Sequence, residues 1–264
     1  MTENRIVCRN LTKIFHGIHA KQDVVACEDI SIEIQPGEFV TVIGPSGCGK
    51  TSLLYMIAGF EQKTSGMILV DGKSVQSPGP DRAVVFQEFA LFPWLTLRQN
   101  IEFGPRERGI QNDVMREHVN SMLRTVGLTA AESRYPHELS AGMRQRAALA
   151  RVLVNEPKIL LMDEPFAALD AQTRSTLQAE LGRLAKLLNL TILFITHSVE
   201  EAVLLGDRVL AMSARPGRII EDLAINLPRP RDPTSPAFNE YRRHVDLLLE
   251  QATRTAADTE TTAN

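Results

Sequence analysis

Apolar positions recur along this chain with two periods. Ile30, Ile32 and Ile34 alternate with Ser31 and Glu33, the pattern of a half-buried strand, and Pro36-Gly37 then marks a turn. Residues 39–43 (FVTVI) form a nearly continuous apolar run, which predicts a short strand covered on both faces. A glycine-rich segment follows, then a helix from Lys50 to Ala58. Residues 67–70 (MILV) and 83–86 (AVVF) read as two more short strands. From residue 96 the pattern turns mainly helical. Asn112-Asp113 can cap a helix through Thr125, Gly127 ends it, and 140–153 forms another, rich in Ala, Leu and Arg. Strand signals return at 159–162 (ILLM) and 191–195 (TILFI), on either side of a long helix over 171–188. A short helix over 199–205 precedes a strand at 208–212.

Strands alternating with helices imply βαβ units and a parallel sheet. The helical block at 96–153 interrupts the alternation and reads as an inserted subdomain. Residues 228–236 hold four prolines in nine and read as a linker, after which an amphipathic helix is expected, with Leu247, Leu248 and Leu249 near its end. The polar tail 252–264 is expected to be disordered. The domain organisation expected is therefore one domain over 1–232 and a C-terminal helix and tail over 233–264.

With 264 residues the chain is long enough for a real hydrophobic core. Its 44% hydrophobic and 23% charged residues are ordinary for a globular protein, and no run approaches a membrane span. The N-terminal MTENRIVCRN lacks the apolar core of a signal peptide. A net charge of −3 lacks the basic stripe that phosphate-backbone binding requires, so no nucleic-acid partner is expected; the RPR at 229–231 reads as a solvated, proline-stiffened turn. Three cysteines with no CxxC pair argue against a disulfide framework or a zinc site and fit a reducing cytoplasm.

Two segments carry chemistry. Residues 44–51 (GPSGCGKT) match G-x-x-x-x-G-K-[ST] between a predicted strand and a predicted helix. Gly44, Gly47 and Gly49 let the backbone curl, so that N–H groups along Gly44, Pro45, Ser46, Gly47, Cys48, Gly49, Lys50, Thr51 and Ser52 (proline excepted) can face a phosphate at a helix N-terminus. In such a loop Lys50 reaches the β- and γ-phosphates and the Thr51 hydroxyl ligates Mg²⁺. Cys48 reads either as a thiolate favoured by Lys50 and the helix end or as a small residue at a tolerant position. The second segment is 159–164 (ILLMDE), a buried strand that ends in two carboxylates. At the C-terminal edge of a parallel sheet Asp163 can orient the Mg²⁺ shell and Glu164 can polarise a water for attack on the γ-phosphate.

An ordered set of motifs over roughly residues 5–220 resembles the nucleotide-binding subunit of ATP-binding cassette (ABC) transporters. The phosphate loop at 44–51 comes first, then Gln87 at the end of a strand, LSAGMRQR at 139–146, the carboxylates Asp163 and Glu164, PFAALD at 165–170, and His197 after the strand 191–195. The resemblance implies an α/β fold of the P-loop NTPase class: a RecA-like core, an antiparallel β subdomain and an inserted α-helical signature subdomain. It further implies roles. Gln87 contacts Mg²⁺ or the attacking water. Ser140 and Gly142 face the γ-phosphate of ATP held on a second copy of the chain, paired head to tail. Asp170 crosses that interface. His197 positions the γ-phosphate relative to Glu164. Phe15 stacks on adenine, although an aromatic in a strand can equally be plain core. His16, His19, His118, His137 and His244 lack comparable placement.

The signature departs from the common LSGGQ at two positions. Met143 stands where a glutamine is usual, a substitution resembling the subgroup that imports nitrate, sulfonates or taurine. Ala141 stands where a glycine is usual; it is strained if the backbone there needs φ > 0 and harmless if the residue is already helical. Residues 94–101 (WLTLRQNI) and 214–232 resemble the same subgroup. The aromatic-rich 88–95 (EFALFPWL) either fills a helical core or forms an apolar groove that receives a helix of a membrane permease, where the family places that contact. The function implied is ATP hydrolysis powering uptake of a small anion, by a peripheral subunit on the cytoplasmic face of the inner membrane. The implied partners are a second copy, a permease and, indirectly, a solute-binding protein. A soluble ABC ATPase of DNA repair or translation is the alternative; such relatives carry a coiled-coil insertion or two fused cassettes, and neither occurs here.

Overall fold

The computed structural model describes residues 5–17 and 23–262, with 254–262 as backbone alone; His19 lies outside them. In chain order the elements are β1 (Ile6–Phe15), β2 (Val24–Ile34), β3 (Phe39–Ile43), α1 (Lys50–Ala58), β4 (Ser65–Val70), β5 (Lys73–Ser74), β6 (Arg82–Val85), α2 (Leu97–Glu107), α3 (Asn112–Thr125), α4 (Ala141–Leu153), β7 (Ile159–Asp163), α5 (Ala171–Leu187), β8 (Thr191–Ile195), α6 (Val199–Leu205), β9 (Arg208–Met212), β10 (Ile219–Ala224) and α7 (Pro236–Thr262). They fall into two compact units, one of Met1–Gly79 with Ala185–Asn264 and the other of Pro80–Leu184.

The first unit holds an antiparallel sheet in the order β2-β1-β4-β5. Its register sets Ile6 opposite Ile34 and Cys8 opposite Ile32, so the alternating apolar residues of both strands share one buried face. The same unit holds strands in the order β10-β9-β3-β8, with β3 parallel to both β8 and β9 and β10 antiparallel at the edge. All five residues of β3 are buried, as its continuous apolar run predicts. Its one hydroxyl, on Thr41, shares its single hydrogen between the carbonyls of Ala202 and Arg208 at 3.3 and 3.2 Å.

Helix α7 lays Phe238 and Val245 into a core with Ala202, Val203, Val209 and Ile225. Two expectations are corrected at this end of the chain. The 229–231 segment is solvated only in part: Arg229 and Pro230 are exposed, and Arg231 is not. Arg231 is buried and donates to the carbonyls of Val203 (2.7 Å), Leu204 (3.2 Å) and Gly206 (2.5 Å) at the end of α6, and to Ile225 (3.2 Å). Burial pulls its guanidinium down to about 10, which leaves it charged at neutral pH. A guanidinium carries five donors, enough to satisfy several orphan carbonyls at a helix end, and composition alone cannot show that such carbonyls are near. Nor is the chain disordered from residue 252, because α7 continues to Thr262. A helix nucleated by its packed half extends at little cost per residue.

In the second unit β6 and β7 pair in parallel. Helices α2, α3 and α4 enclose their own core, with Leu97, Ile101, Val119, Leu123, Ala147 and Ala150 buried at helical spacing. Asn112 is not the cap of α3. Gln111 holds the cap position without a side-chain bond, and Asp113 sits in the first turn, where the helix dipole favours it.

Candidate nucleotide site

The first unit carries the phosphate loop. From Ile43 the chain turns through residues 44–49 into α1, with φ of 75° at Gly47 and 95° at Gly49. Gly49 is required twice over: its φ is left-handed, and a Cβ there would lie 2.5 Å from the Ala26 carbonyl oxygen and 2.7 Å from Cys27 Sγ. As the cap of α1 it adds no side-chain acceptor, and the first turn has no acidic residue. A helix start with neither a capping side chain nor an acidic residue suits an anion at the positive end of its dipole. Lys50 is buried, and its ammonium donates to the carbonyls of Gly44 (2.8 Å) and Pro45 (2.9 Å), with Cys48 Sγ at 3.7 Å. Thr51, Ser46 and Gly47 are exposed, and Pro45 and Ser52 half-buried. Cys48 is buried, and burial raises its thiol pKa against the opposing pull of Lys50. That overturns the thiolate alternative, because the loss of hydration outweighs the nearby charge.

In the same unit Val42 of β3 pairs with Ile195 of β8, so the phosphate loop and His197 leave two neighbouring parallel strands at the same end. His197 is exposed on a turn that its neighbours fasten. The buried Thr196 hydroxyl donates to Glu201 Oε2 (2.6 Å) and accepts from Ser198 N (3.0 Å), while Glu201 N donates to Ser198 Oγ (3.3 Å). Phe15 ends β1 at 40% exposure with the Lys13 ammonium 4.5 Å from its ring centre. It is therefore not core.

The second unit repeats this arrangement with different chemistry. Val85 of β6 pairs with Met162 of β7, so Gln87 and the Asp163–Glu164 pair also leave adjacent strands at one end. Gln87 is exposed and Asp163 buried. Glu164 sits at φ 44°, a left-handed conformation that costs a carboxylate residue energy and is common at functional turns. The next turn ends at Asp170, whose carboxylate caps α5 by accepting from Thr173 N at 3.0 Å. That bond holds the Asp170 carboxyl below its ordinary range.

Ser140 caps α4, its hydroxyl accepting from Met143 N at 3.3 Å. Ala141 is the first residue of α4 and has no positive φ, so its methyl costs nothing. Gly142 differs, because a Cβ there would lie 2.6 Å from Thr173 Cγ2 on α5. Close helix approach thus explains why one glycine of this motif is replaced here and the other is not.

Residues 88–95 split between the two readings of their aromatics. Trp94 is 70% exposed and packs at a tilt against Phe92 at 5.5 Å, which meets Phe103, itself 40% exposed, at 4.7 Å. The Arg151 guanidinium covers Phe92 at 5.2 Å, and Leu91 packs on the helical core. Sequence reasoning missed Asn100, which holds this loop. Its buried amide accepts from Phe92 N (2.8 Å) and donates toward the carbonyls of Phe92, Leu95 and Thr96 (3.0–3.1 Å). Among the described residues no three His, Cys, Asp or Glu gather into a metal site.

A glycine cradle on a helix N-terminus after one buried parallel strand, and paired carboxylates after another, define a P-loop nucleotide-binding protein. The ABC transporter family model matches residues 27–167, just over half of the chain. The chain belongs to that family. It is 45% identical over 249 residues to the nitrate import ATP-binding protein NrtD of a Synechocystis species, covering 91% of this chain and 93% of that protein. It is 43% identical over 218 residues to the aliphatic sulfonates import ATP-binding protein SsuB of Bacillus licheniformis, covering 83% and 84%. A solved dimeric ATP-binding cassette, in a post-hydrolysis state with ADP and Pi, superposes with a TM-score of 0.74 at 27% identity, covering 84% of this chain and 99% of that one. The chain is thus an ABC-type ATPase with the fold of a cassette. Among the described residues no helix is long and apolar enough to cross a membrane.

Proposed function

We propose that this chain powers import of a small oxyanion of the nitrate, aliphatic sulfonate or taurine class, as a peripheral subunit on the cytoplasmic face of the inner membrane. The carrying observation is its 43–45% identity, over at least four-fifths of its length, to cassettes named for nitrate and for sulfonate import. In this reading residues 44–52 hold the phosphates of ATP, with Lys50 as the cation, and Phe15 stacks on the adenine. Thr51, Gln87 and Asp163 would hold Mg²⁺, which neutralises charge on the phosphates when bound. Glu164 takes the proton of the attacking water, and His197 orients the γ-phosphate. A second copy, head to tail, brings Ser140 and Gly142 to that phosphate, and Asp170 lies at the interface. One copy therefore holds ATP without completing its site, and nucleotide acts as the glue of the pair. The exposed Trp94, backed by the half-buried Phe92, receives a helix of the permease, through which a solute-binding protein delivers the anion.

The test is the purified complex of this chain with its permease and binding protein, reconstituted in vesicles, with ATPase measured against nitrate, taurine and an alkanesulfonate. One of the three is expected to stimulate turnover severalfold, and Glu164→Gln to abolish turnover while retaining an ATP-bound dimer. Stimulation by none of them refutes the solute class. Full turnover in the Glu164→Gln variant removes Glu164 from the base role.

A further inference from the structure

We propose that Arg215 is a second cation of the nucleotide site, a guanidinium that meets the polyphosphate of ATP at the middle of the phosphate loop. The proposal rests on the reading of residues 44–51 as that loop. Arg215 lies on the turn between β9 and β10, far from the loop in sequence. Yet a Cβ built on the exposed Gly47 would lie 3.1 Å from Arg215 Nη2, 3.6 Å from Nε and 3.8 Å from Cζ. The guanidinium group thus lies against Gly47.

Backbone hydrogen bonds fix this turn to β2, and close packing sets it against the loop. Gly217 N donates to the Ala26 carbonyl (3.1 Å), and Glu28 N donates to the Gly217 carbonyl (3.0 Å). Ser213 Oγ donates to the Pro216 carbonyl (2.8 Å) and accepts from Arg218 N (2.9 Å). Gly217 approaches so closely that a Cβ there would lie 1.9 Å from the Cys48 carbonyl oxygen. The backbones of the turn carrying Arg215 and of the phosphate loop are therefore held against each other before any nucleotide arrives, and only the Arg215 side chain remains to be ordered.

The two cations at the loop are not equivalent. Lys50 is buried and engaged with two loop carbonyls. Arg215 is exposed, and its guanidinium makes no hydrogen bond or ion pair with any described residue, whereas Arg218 on the same turn pairs with Glu28 at 2.7 Å. A planar group with five donors, placed beside a helix N-terminus that attracts anions, suits phosphate oxygens.

The experiment is equilibrium binding of ATP to the full chain at several salt concentrations, for the native protein and the Arg215→Met and Arg215→Lys variants, with Lys50→Ala as control. Arg215→Met is expected to raise Kd about tenfold at low salt, with the difference shrinking as salt screens the contact. Arg215→Lys, which keeps the charge, is expected to recover most of the affinity. Unchanged affinity in Arg215→Met, or a loss that is independent of salt and not recovered by lysine, overturns the proposal. Failure of the native protein to bind ATP, or full binding by Lys50→Ala, would instead refute the reading of the loop itself.

Discussion

Removal of the Asn100 amide tests how the exposed aromatic loop is held. Asn100→Ala deletes one acceptor, used by Phe92 N, and an NH₂ group shared among three carbonyls. An amide has only two hydrogens, so the three donor contacts count as two bonds. Orphaning the Phe92 N–H costs about 1–3 kcal/mol and each lost donor bond about 1 kcal/mol, for a total near 3 kcal/mol after partial rehydration. Because Asn100 ties the loop to α2 and not the whole unit together, the loss falls on local opening. The measurable consequence is a rise of roughly a hundredfold in hydrogen exchange at the Phe92 amide, since about 1.4 kcal/mol is a factor of ten. Exchange read by NMR on the isolated chain, with the amides of β3 as an internal standard, checks this. Unchanged protection at Phe92 would show that the amide does not hold the loop. Equal acceleration at β3 would show global destabilisation instead. In the reconstituted transporter the same variant is expected to weaken coupling between ATPase and transport, because Trp94 and Phe92 lose their fixed placement.

Gly142→Ala is expected to destabilise the second unit by about 1–3 kcal/mol, because its methyl would meet Thr173 Cγ2. Thermal denaturation reads the loss, and the double variant with Thr173→Ser, which lacks that methyl, is expected to recover most of it; no recovery refutes the contact. The Asp170 carboxyl is held below its ordinary 3.8 by the Thr173 backbone N–H. A lowered native value means the capping contribution is complete above the unfolded pKa and disappears as pH falls through the native one. An NMR titration placing Asp170 at or above 3.8 would contradict the cap.

Much of the site was legible because its chemistry is local. The loop 44–51 is contiguous, its glycines and lysine are adjacent in sequence, and the strand before it is a plain apolar run. The 159–164 segment is equally self-contained, and its final carboxylates follow directly from where a buried strand must end. The helix ends were less legible: Ser140, read as the first residue of its helix, is the cap, and Asn112, read with Asp113 as a cap, yields that position to Gln111. Arg231 was misread because proline-rich composition describes local stiffness and not the carbonyls a folded neighbour presents.

Local patterning by itself determined the strands, the helices and the phosphate-binding segment, since period, turn residues and motif spacing act over a few residues. Only the tertiary structure decided which long-range neighbours those segments meet. It set Thr173 against Gly142, tied Asn100 to the Phe92 loop, drew Arg231 under α6 and laid Arg215 on Gly47. Each of these pairs joins residues whose distance in sequence carries no signal of contact, and their closeness follows from packing and backbone pairing summed over the fold.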